Sequence, residues 1–113
     1  MQISNELLSC IPHRNVSWQL NSENNQVILL RPKFSNRLLV RYLLPWLKDP
    51  NYRINLDAIG TKVWECIDGK RNVREIGQIL KDDMGVNVDP VYERLSQFIL
   101  SLNKYKFILL QKP

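Results

Sequence analysis

The side chains best suited to chemistry are few and widely spaced. Cys10 and His13 could form a nucleophile and its base, but no third side chain is placed to orient them. Cys66 lies far away in sequence, and these three residues are too few for a structural zinc site, which needs about four ligands. Asp82 and Asp83, the only adjacent acidic pair, fall near the end of a predicted helix and are expected to face solvent. We therefore predict free thiols, no catalytic residue, no metal and no cofactor.

Catalytic and phosphate-binding motifs are also missing. The sequence contains no GxSxG, HExxH, GxGxxG or phosphate-loop pattern, and its four glycines offer little material for a loop around a phosphate. The length of 113 residues predicts a single domain, residues 1–113. Its 44% of hydrophobic residues is enough for one core but leaves little room for a large substrate cleft. We therefore expect a binding protein and not an enzyme.

Composition bounds the environment of the protein. The formal net charge of +5 is a mild basic bias, shared by many proteins that do not bind nucleic acid. No apolar run approaches the roughly 20 residues of a membrane span. The N-terminus lacks the basic and then apolar segments of a secretory signal. We expect a cytoplasmic protein with no membrane contact.

The front half of the chain predicts a β-hairpin. Residues 16–20 alternate between apolar and polar, residues 26–30 form a β-branched apolar run, and together they give a hairpin over 15–34. Residues 1–14 are expected to form a flexible N-terminus. Residues 35–50 are predicted as an insertion that contains a short helix, which either covers the core or forms a docking surface.

The second half predicts a short strand, three helices and a final strand within residues 53–110. The strand is expected at Arg53–Leu56, and apolar residues then recur at helical spacing. Asn72 and Glu75 have the spacing of a capping box at the start of the second helix. Asp89-Pro90 predicts an N-cap and first residue for the third helix. The predicted fold is α+β and winged-helix-like: the N-terminal hairpin and third strand form a small antiparallel sheet packed with a three-helix bundle.

The third helix carries more apolar surface than one packed face requires. Its apolar residues form one row of Val91, Leu95, Phe98 and Leu102, widened by Tyr92 and Ile99. Either the whole helix is buried in the core, or one row faces the core and the other lines a groove. Between Asp89 and Asn103 it holds two acids and one base, which argues against insertion into the major groove of DNA.

Residues 53–110 resemble the PqqD-like proteins, the peptide recognition elements of ribosomal peptide modification. Residues 54–60 (INLDAIG) followed by Val63-Trp64 are similar to the family's strand and first helix. Residues 67–76 (IDGKRNVREI) are similar to its signature DG-x-x-[TS]-V-x-E-I, with Asn72 in place of Thr or Ser. Asparagine caps a helix equally well. The glycine that the family often has near Lys104 is missing.

The resemblance implies a binding function. Such proteins have a winged-helix-like fold, bind the leader of a precursor peptide, and present it to a modifying enzyme, often a radical-SAM enzyme. The peptide adds as a strand to the third strand and packs against the third helix. Carried over to this chain, the strand edge would be Arg53, Ile54, Asn55 and Leu56, with the Ile54 N–H expected at the open edge. The groove wall would be drawn from Tyr92, Leu95, Gln97, Phe98, Ile99 and Leu102.

Charge adds one inference, and two other functions stay open. Arg53 and Arg94 are placed to clamp acidic residues of a leader peptide. The first alternative is a winged-helix protein that binds nucleic acid, although no nucleic-acid partner is expected. The second is an adaptor that scaffolds an enzyme through residues 33–48. The protein is expected to be a monomer or a homodimer, since exposed strand edges permit pairing.

Overall fold

The chain folds into two small antiparallel sheets and a group of helices, as seen in a computed structural model that describes residues 5–32 and 51–112. The insertion predicted over residues 35–50 lies outside the described residues. The elements in chain order are α1 (Asn5–Ser9), β1 (Ile11–Arg14), β2 (Ser17–Leu20), β3 (Val27–Pro32), β4 (Asn51–Asn55), α2 (Ala58–Cys66), α3 (Val73–Met84), a 3-10 helix (Gly85–Val88), α4 (Val91–Lys104) and β5 (Ile108–Gln111). The α+β class predicted from the sequence is confirmed, while the likeness to winged helices stays a prediction.

The larger sheet consists of β2, β3 and β4, with β3 in the middle. The register places Trp18 of β2 and Ile54 of β4 on either side of Leu29. This is the predicted hairpin with its third strand. The side chains of Val27 and Leu29 are fully buried and carry the sheet's contribution to the core.

The helices cover this apolar face of the sheet. Trp64 of α2, Ile76 of α3 and Ile99 of α4 are each fully buried in the same cluster. Burying side chains of this size stabilises the fold by about 1.5–3 kcal/mol each. None of the helices in the described part of the chain is long and apolar enough to cross a bilayer.

The N-terminal segment differs from the expected flexible terminus. Residues 5–14 instead form α1 and β1, and β1 pairs antiparallel with β5, Ile11 lying opposite Gln111. Leu7 and Leu8 of α1 are buried in the core, and the N–H of Val73 donates to the carbonyl oxygen of Cys10 at 3.0 Å. The partner strand lies about a hundred residues away, so no local pattern reveals the pairing.

The predicted helix ends are partly confirmed. Asn72 and Glu75 form the expected capping box: the Asn72 Oδ1 accepts the Glu75 N–H at 2.8 Å, and the Glu75 Oε1 accepts the Asn72 N–H at 3.1 Å. Gly69, between α2 and α3, has a left-handed conformation with a φ of 77°. A Cβ at this position would also lie 2.9 Å from the His13 Nδ1, so only glycine suits this turn.

The start of α4 differs from its prediction. The helix begins at Val91 with Pro90 at the N-cap position, and no side chain caps it. The N–H of Asp89 donates to the carbonyl oxygen of Val86 at 3.2 Å, so Asp89 completes the preceding 3-10 helix. That 3-10 helix had no periodic signal in the sequence and shifted the expected boundary by one residue.

We expect the replacement of Asn72 by alanine to lower the free energy of unfolding by about 1 kcal/mol, because the bond to the Glu75 N–H is lost. Asn72→Thr keeps an oxygen acceptor at the cap and should retain most of that stability. Urea denaturation followed by circular dichroism compares the two variants. Identical midpoints for Asn72→Ala and the unmodified chain would contradict this role of the cap.

Candidate peptide-binding site

Strand β4 is an outer strand of the three-stranded sheet formed by the described residues. The N–H of Leu56, which directly follows β4, donates to the carbonyl oxygen of Val27 in β3 at 2.9 Å. Alternate residues of an antiparallel strand direct their N–H and C=O groups to the same side. The backbone of Ile54 therefore faces β3, as that of Leu56 does, whereas those of Arg53 and Asn55 face the outer edge.

This alternation corrects the role expected for Ile54. Its N–H belongs to the ladder with β3, where Ile54 lies opposite Leu29, and not to the open edge. Its side chain is half-buried and packs against the core. The sequence indicated the strand but not which residues face β3, because that depends on the partner strand. Of the two residues with outward backbone groups, Asn55 lies nearer in sequence to the junction with α2, and its side chain is exposed.

The junction between β4 and α2 leads directly to a second feature. Asp57 caps α2, its Oδ1 accepting the Gly60 N–H at 2.7 Å. A Cβ on Gly60 would lie 3.3 Å from the Leu56 Cβ and 3.4 Å from the Phe98 Cζ. Glycine at this position therefore allows Phe98 of α4 to approach the start of α2, next to the end of the edge strand.

An apolar cleft lies between α2, the 3-10 helix and the first turns of α4. Its apolar lining comes chiefly from Ile59 and Val63 of α2, Val88 of the 3-10 helix, and Val91, Leu95 and Phe98 of α4. Its volume is about 180 Å³. Pockets for small molecules are larger, at about 300–1,000 Å³. The cleft therefore suits an apolar side chain better than a cofactor.

Two charged side chains, Asp57 and Arg94, border the cleft. Both are exposed. Asp57 is already engaged in capping α2, and one guanidinium nitrogen of Arg94 donates to the carbonyl oxygen of Asn87 at 2.8 Å. A guanidinium group has five N–H donors, so this bond positions Arg94 without using all of its capacity.

The structure divides the predicted groove wall. Leu95 and Phe98 line the cleft. Ile99 and Leu102 are 0% and 5% exposed. They pack α4 onto the core and therefore do not line a groove. Tyr92 turns toward α3 instead.

Tyr92 packs on α3 so closely that a Cβ on Gly77 would lie 2.5 Å from the Tyr92 Cε1. Gln97 is exposed and is not part of the cleft lining. The apolar residues of α4 thus face α2, α3 and the cleft. Their spacing in the sequence did not show which residue faces which neighbour.

Sequence reasoning missed the contribution of α2 and of the 3-10 helix. Ile59 and Val63 are among the apolar residues that recur at helical spacing, a pattern typical of core residues, and Val88 falls between two predicted helices. Ile59 is only half-buried, which is the structural sign that it faces an opening. No sequence signal distinguishes such a residue from its buried neighbours. The adaptor alternative concerned residues 33–48, which lie outside the described residues.

A family comparison bears on these features. A model of the family described as Coenzyme PQQ synthesis protein D (PqqD) matches residues 47–108, more than half of the chain. The chain belongs to the PqqD family. No curated protein and no solved structure gives a significant match.

The PqqD match confirms the resemblance seen in the sequence and includes the whole candidate site. It runs from before β4 to the first residue of β5, and so contains the β4 edge, the junction and the cleft. PqqD proteins are non-catalytic accessory proteins of PQQ synthesis, and they act with a peptide substrate and a biosynthetic enzyme. Strands β1 to β3 lie outside the matched range.

The cysteine and histidine side chains that could be reactive lie outside this site and take part in structural contacts. Cys10 and Cys66 are buried free thiols, and the Cys10 Sγ donates to the carbonyl oxygen of Glu6 at 3.2 Å. The His13 Nε2 lies 2.6 Å from the Gln111 Oε1, across the β1–β5 pair. No group of three potential metal ligands occurs within residues 5–32 and 51–112.

Cys66 is expected to be unreactive in the folded PqqD chain. Burial raises the pKa of the Cys66 thiol above its ordinary value, so less thiolate is present near neutral pH. In a Cys10→Ser variant, labelling by a disulfide reagent at about pH 8 should be at least about tenfold slower in the folded protein than in urea. The rate in the folded state should rise only at higher pH. Equal rates in both states would point to a reactive thiol.

Proposed function

We propose that this PqqD-family chain recognises the leader of a ribosomally made precursor peptide by strand addition to β4 and presents it to a modifying enzyme. We further propose that this enzyme is of the radical-SAM class, as the family resemblance implies. The observation that carries the proposal is the continuity between the outward backbone of Asn55 and the apolar cleft. One extended peptide can reach both.

Strand addition fits the geometry of this edge. A strand added beside β4 would lie about 4.8 Å from it and bond to the outward N–H and C=O groups of Asn55. Its side chains would alternate between the two faces of the sheet. Those on the helix-bearing face would point toward α4, where Phe98 and Leu95 line the cleft. Backbone bonds would then supply affinity, and the cleft would select an apolar leader residue.

Charge supports a leader that carries acidic residues. Arg53 is an exposed residue of the edge strand, and Arg94 borders the cleft. Both lie where a bound peptide would pass. The acidic cap residue Asp57 also borders the cleft, so the positions of acidic leader residues are expected to matter as well as their number.

The same charges weaken the nucleic-acid alternative. The first turn of α4 carries Glu93, and the exposed Asp89 stands just before it. Within residues 89–95 these two acids stand against one cation, Arg94. A duplex that accepted this helix end would bring phosphates toward two carboxylates. An extended peptide that adds to β4 would bind the strand edge and would not need to approach these two carboxylates.

The proposal makes a sharp prediction for one backbone N–H. Asn55→Pro removes the outward N–H at the strand edge but leaves the β3 ladder intact, because that N–H does not face β3. We expect it to weaken binding of the leader by about threefold to tenfold, the worth of one hydrogen bond. Titration calorimetry with the leader of the precursor encoded beside this gene measures the change.

Two variants make that measurement interpretable. Asn55→Ala keeps the N–H and should bind nearly as well as the unmodified chain. Ile54→Pro removes a ladder bond to β3 and should instead lower the stability of the fold. If Asn55→Pro and Asn55→Ala bind equally, strand addition at this edge is excluded. If the leader does not bind the unmodified chain, the proposed function fails as a whole.

The cleft is tested by truncating its most accessible aromatic side chain. Phe98→Ala should weaken binding of the leader by about tenfold or more, because it removes the aromatic ring that lines the cleft for an inserted apolar residue. Leu100→Ala, on the same helix and 41% exposed, is the matched control and should have little effect. Thermal unfolding of both variants separates lost contacts from lost stability. Equal losses in binding would place the peptide elsewhere.

A further inference from the structure

Strand β2 forms the other outer strand of the sheet, and no further strand among residues 5–32 and 51–112 pairs with its outer edge. All four residues of the strand, Ser17 to Leu20, are exposed, and none of them is charged. Trp18 is 37% exposed and Leu20 is 51% exposed. Natural sheets commonly protect such edges with charged residues, proline or a covering element. This strand has no charge and no proline.

The exposed apolar side chains continue the buried face of the sheet. Trp18 lies opposite Leu29 and Leu20 lies opposite Val27, and both partners are fully buried. Directly opposed residues share one face of an antiparallel sheet. Trp18 and Leu20 therefore stand on the core side of the sheet but beyond the reach of the helices that cover β3.

The same two residues present the open backbone. The N–H of Asn21 donates to the carbonyl oxygen of Gln26 at 2.8 Å, at the hairpin end of the pair. By alternation, the backbones of Gln19 and Ser17 face β3, whereas those of Trp18 and Leu20 face outward. Apolar side chains and outward N–H and C=O groups thus coincide at Trp18 and Leu20.

Trp18 is held in this position. The Arg14 guanidinium lies 4.9 Å from the Trp18 ring centre and 5.7 Å from that of Trp64. The same guanidinium donates to the carbonyl oxygen of Trp64 at 2.9 Å. A side chain fixed by such contacts loses little conformational entropy when a partner covers it.

We propose that the β2 edge is a dimer interface, in which two copies of this chain pair their β2 strands antiparallel about a two-fold axis. The partner is a second copy because the edge is complementary to itself. With Trp18 of one copy opposite Leu20 of the other, outward backbone groups meet outward backbone groups, giving about four hydrogen bonds. The same register covers each exposed apolar side chain with one from the partner.

The dimer would leave the candidate peptide site open. Joining two β2 edges produces a six-stranded sheet whose outer strands are the two β4 strands. Each β4 edge and its cleft then lie at the far ends of the sheet, away from the axis. This inference is independent of the proposed function, since it rests only on β2 and its neighbours.

The register is tested by a cysteine at the two-fold axis. In the proposed pairing Gln19 faces its own copy as a non-hydrogen-bonded pair, with Cα atoms about 4.5 Å apart, within the range that a disulfide can bridge. Gln19→Cys should therefore form a covalent dimer when treated with diamide, as seen on non-reducing gels. Ser17→Cys is the matched control, because its two copies would be displaced by four residues, roughly 14 Å along the strand. Cys10 and Cys66 are buried and present in both proteins.

Equal cross-linking of the two cysteine variants, or none in either, would overturn the proposed pairing. Sedimentation equilibrium gives a second, independent measurement. Leu20→Lys should raise the dimer dissociation constant by at least about tenfold, because it places a charge in the covered apolar row. Leu109→Lys, at a side chain of β5 that is 52% exposed, should leave the constant unchanged. A chain that is monomeric at high concentration would leave this edge to another partner and refute the dimer.

Discussion

The hydrogen bonds that tie β3 to the junction of β4 and α2 determine the rest of this site. Val27 accepts the Leu56 N–H through its carbonyl oxygen and donates its own N–H to the Thr61 Oγ1 at 2.8 Å. Val27 and Thr61 are both buried, so water cannot replace these bonds. Moving α2 away from the sheet would leave a buried N–H unpaired, at a cost of about 1–3 kcal/mol. The strand edge and the cleft are therefore held in one fixed relation.

The other end of α2 depends on a part of the chain outside the PqqD match. Arg14, at the end of β1, donates to the carbonyl oxygens of Trp64 and Glu65, where α2 runs out of internal donors. A cation at a helix C-terminus is also favoured by the helix dipole. The β1–β5 pair places Arg14 there, so the N-terminal segment is a structural part of the domain and not an appendage.

Local patterns in the sequence were enough to predict α2, α3 and α4, but not the contacts between distant segments. The capping box at Asn72 involves residues three apart, so its geometry follows from the sequence alone. The pairing of β1 with β5 joins residues about a hundred positions apart, and β1 has too few residues for a pattern. The backbone direction of Ile54 depends on which residue of β3 lies opposite, and the two apolar rows of α4 divide between cleft, core and α3 only once those neighbours are placed. Spacing predicts that a side chain is covered, but not by which neighbour.

The two outer strands of the sheet show how side chains decide what an open edge can bind. Both edges offer the same backbone groups, so hydrogen bonding alone does not distinguish their partners. At β4, Arg53 and the adjacent apolar cleft give the edge two features that the backbone alone lacks: a cation and a site for an apolar side chain. The four residues of β2 carry no charge, and the exposed pair Trp18 and Leu20 can be covered by the same pair from a second copy. We therefore propose a foreign peptide as the partner of β4 and a second copy of the chain as the partner of β2.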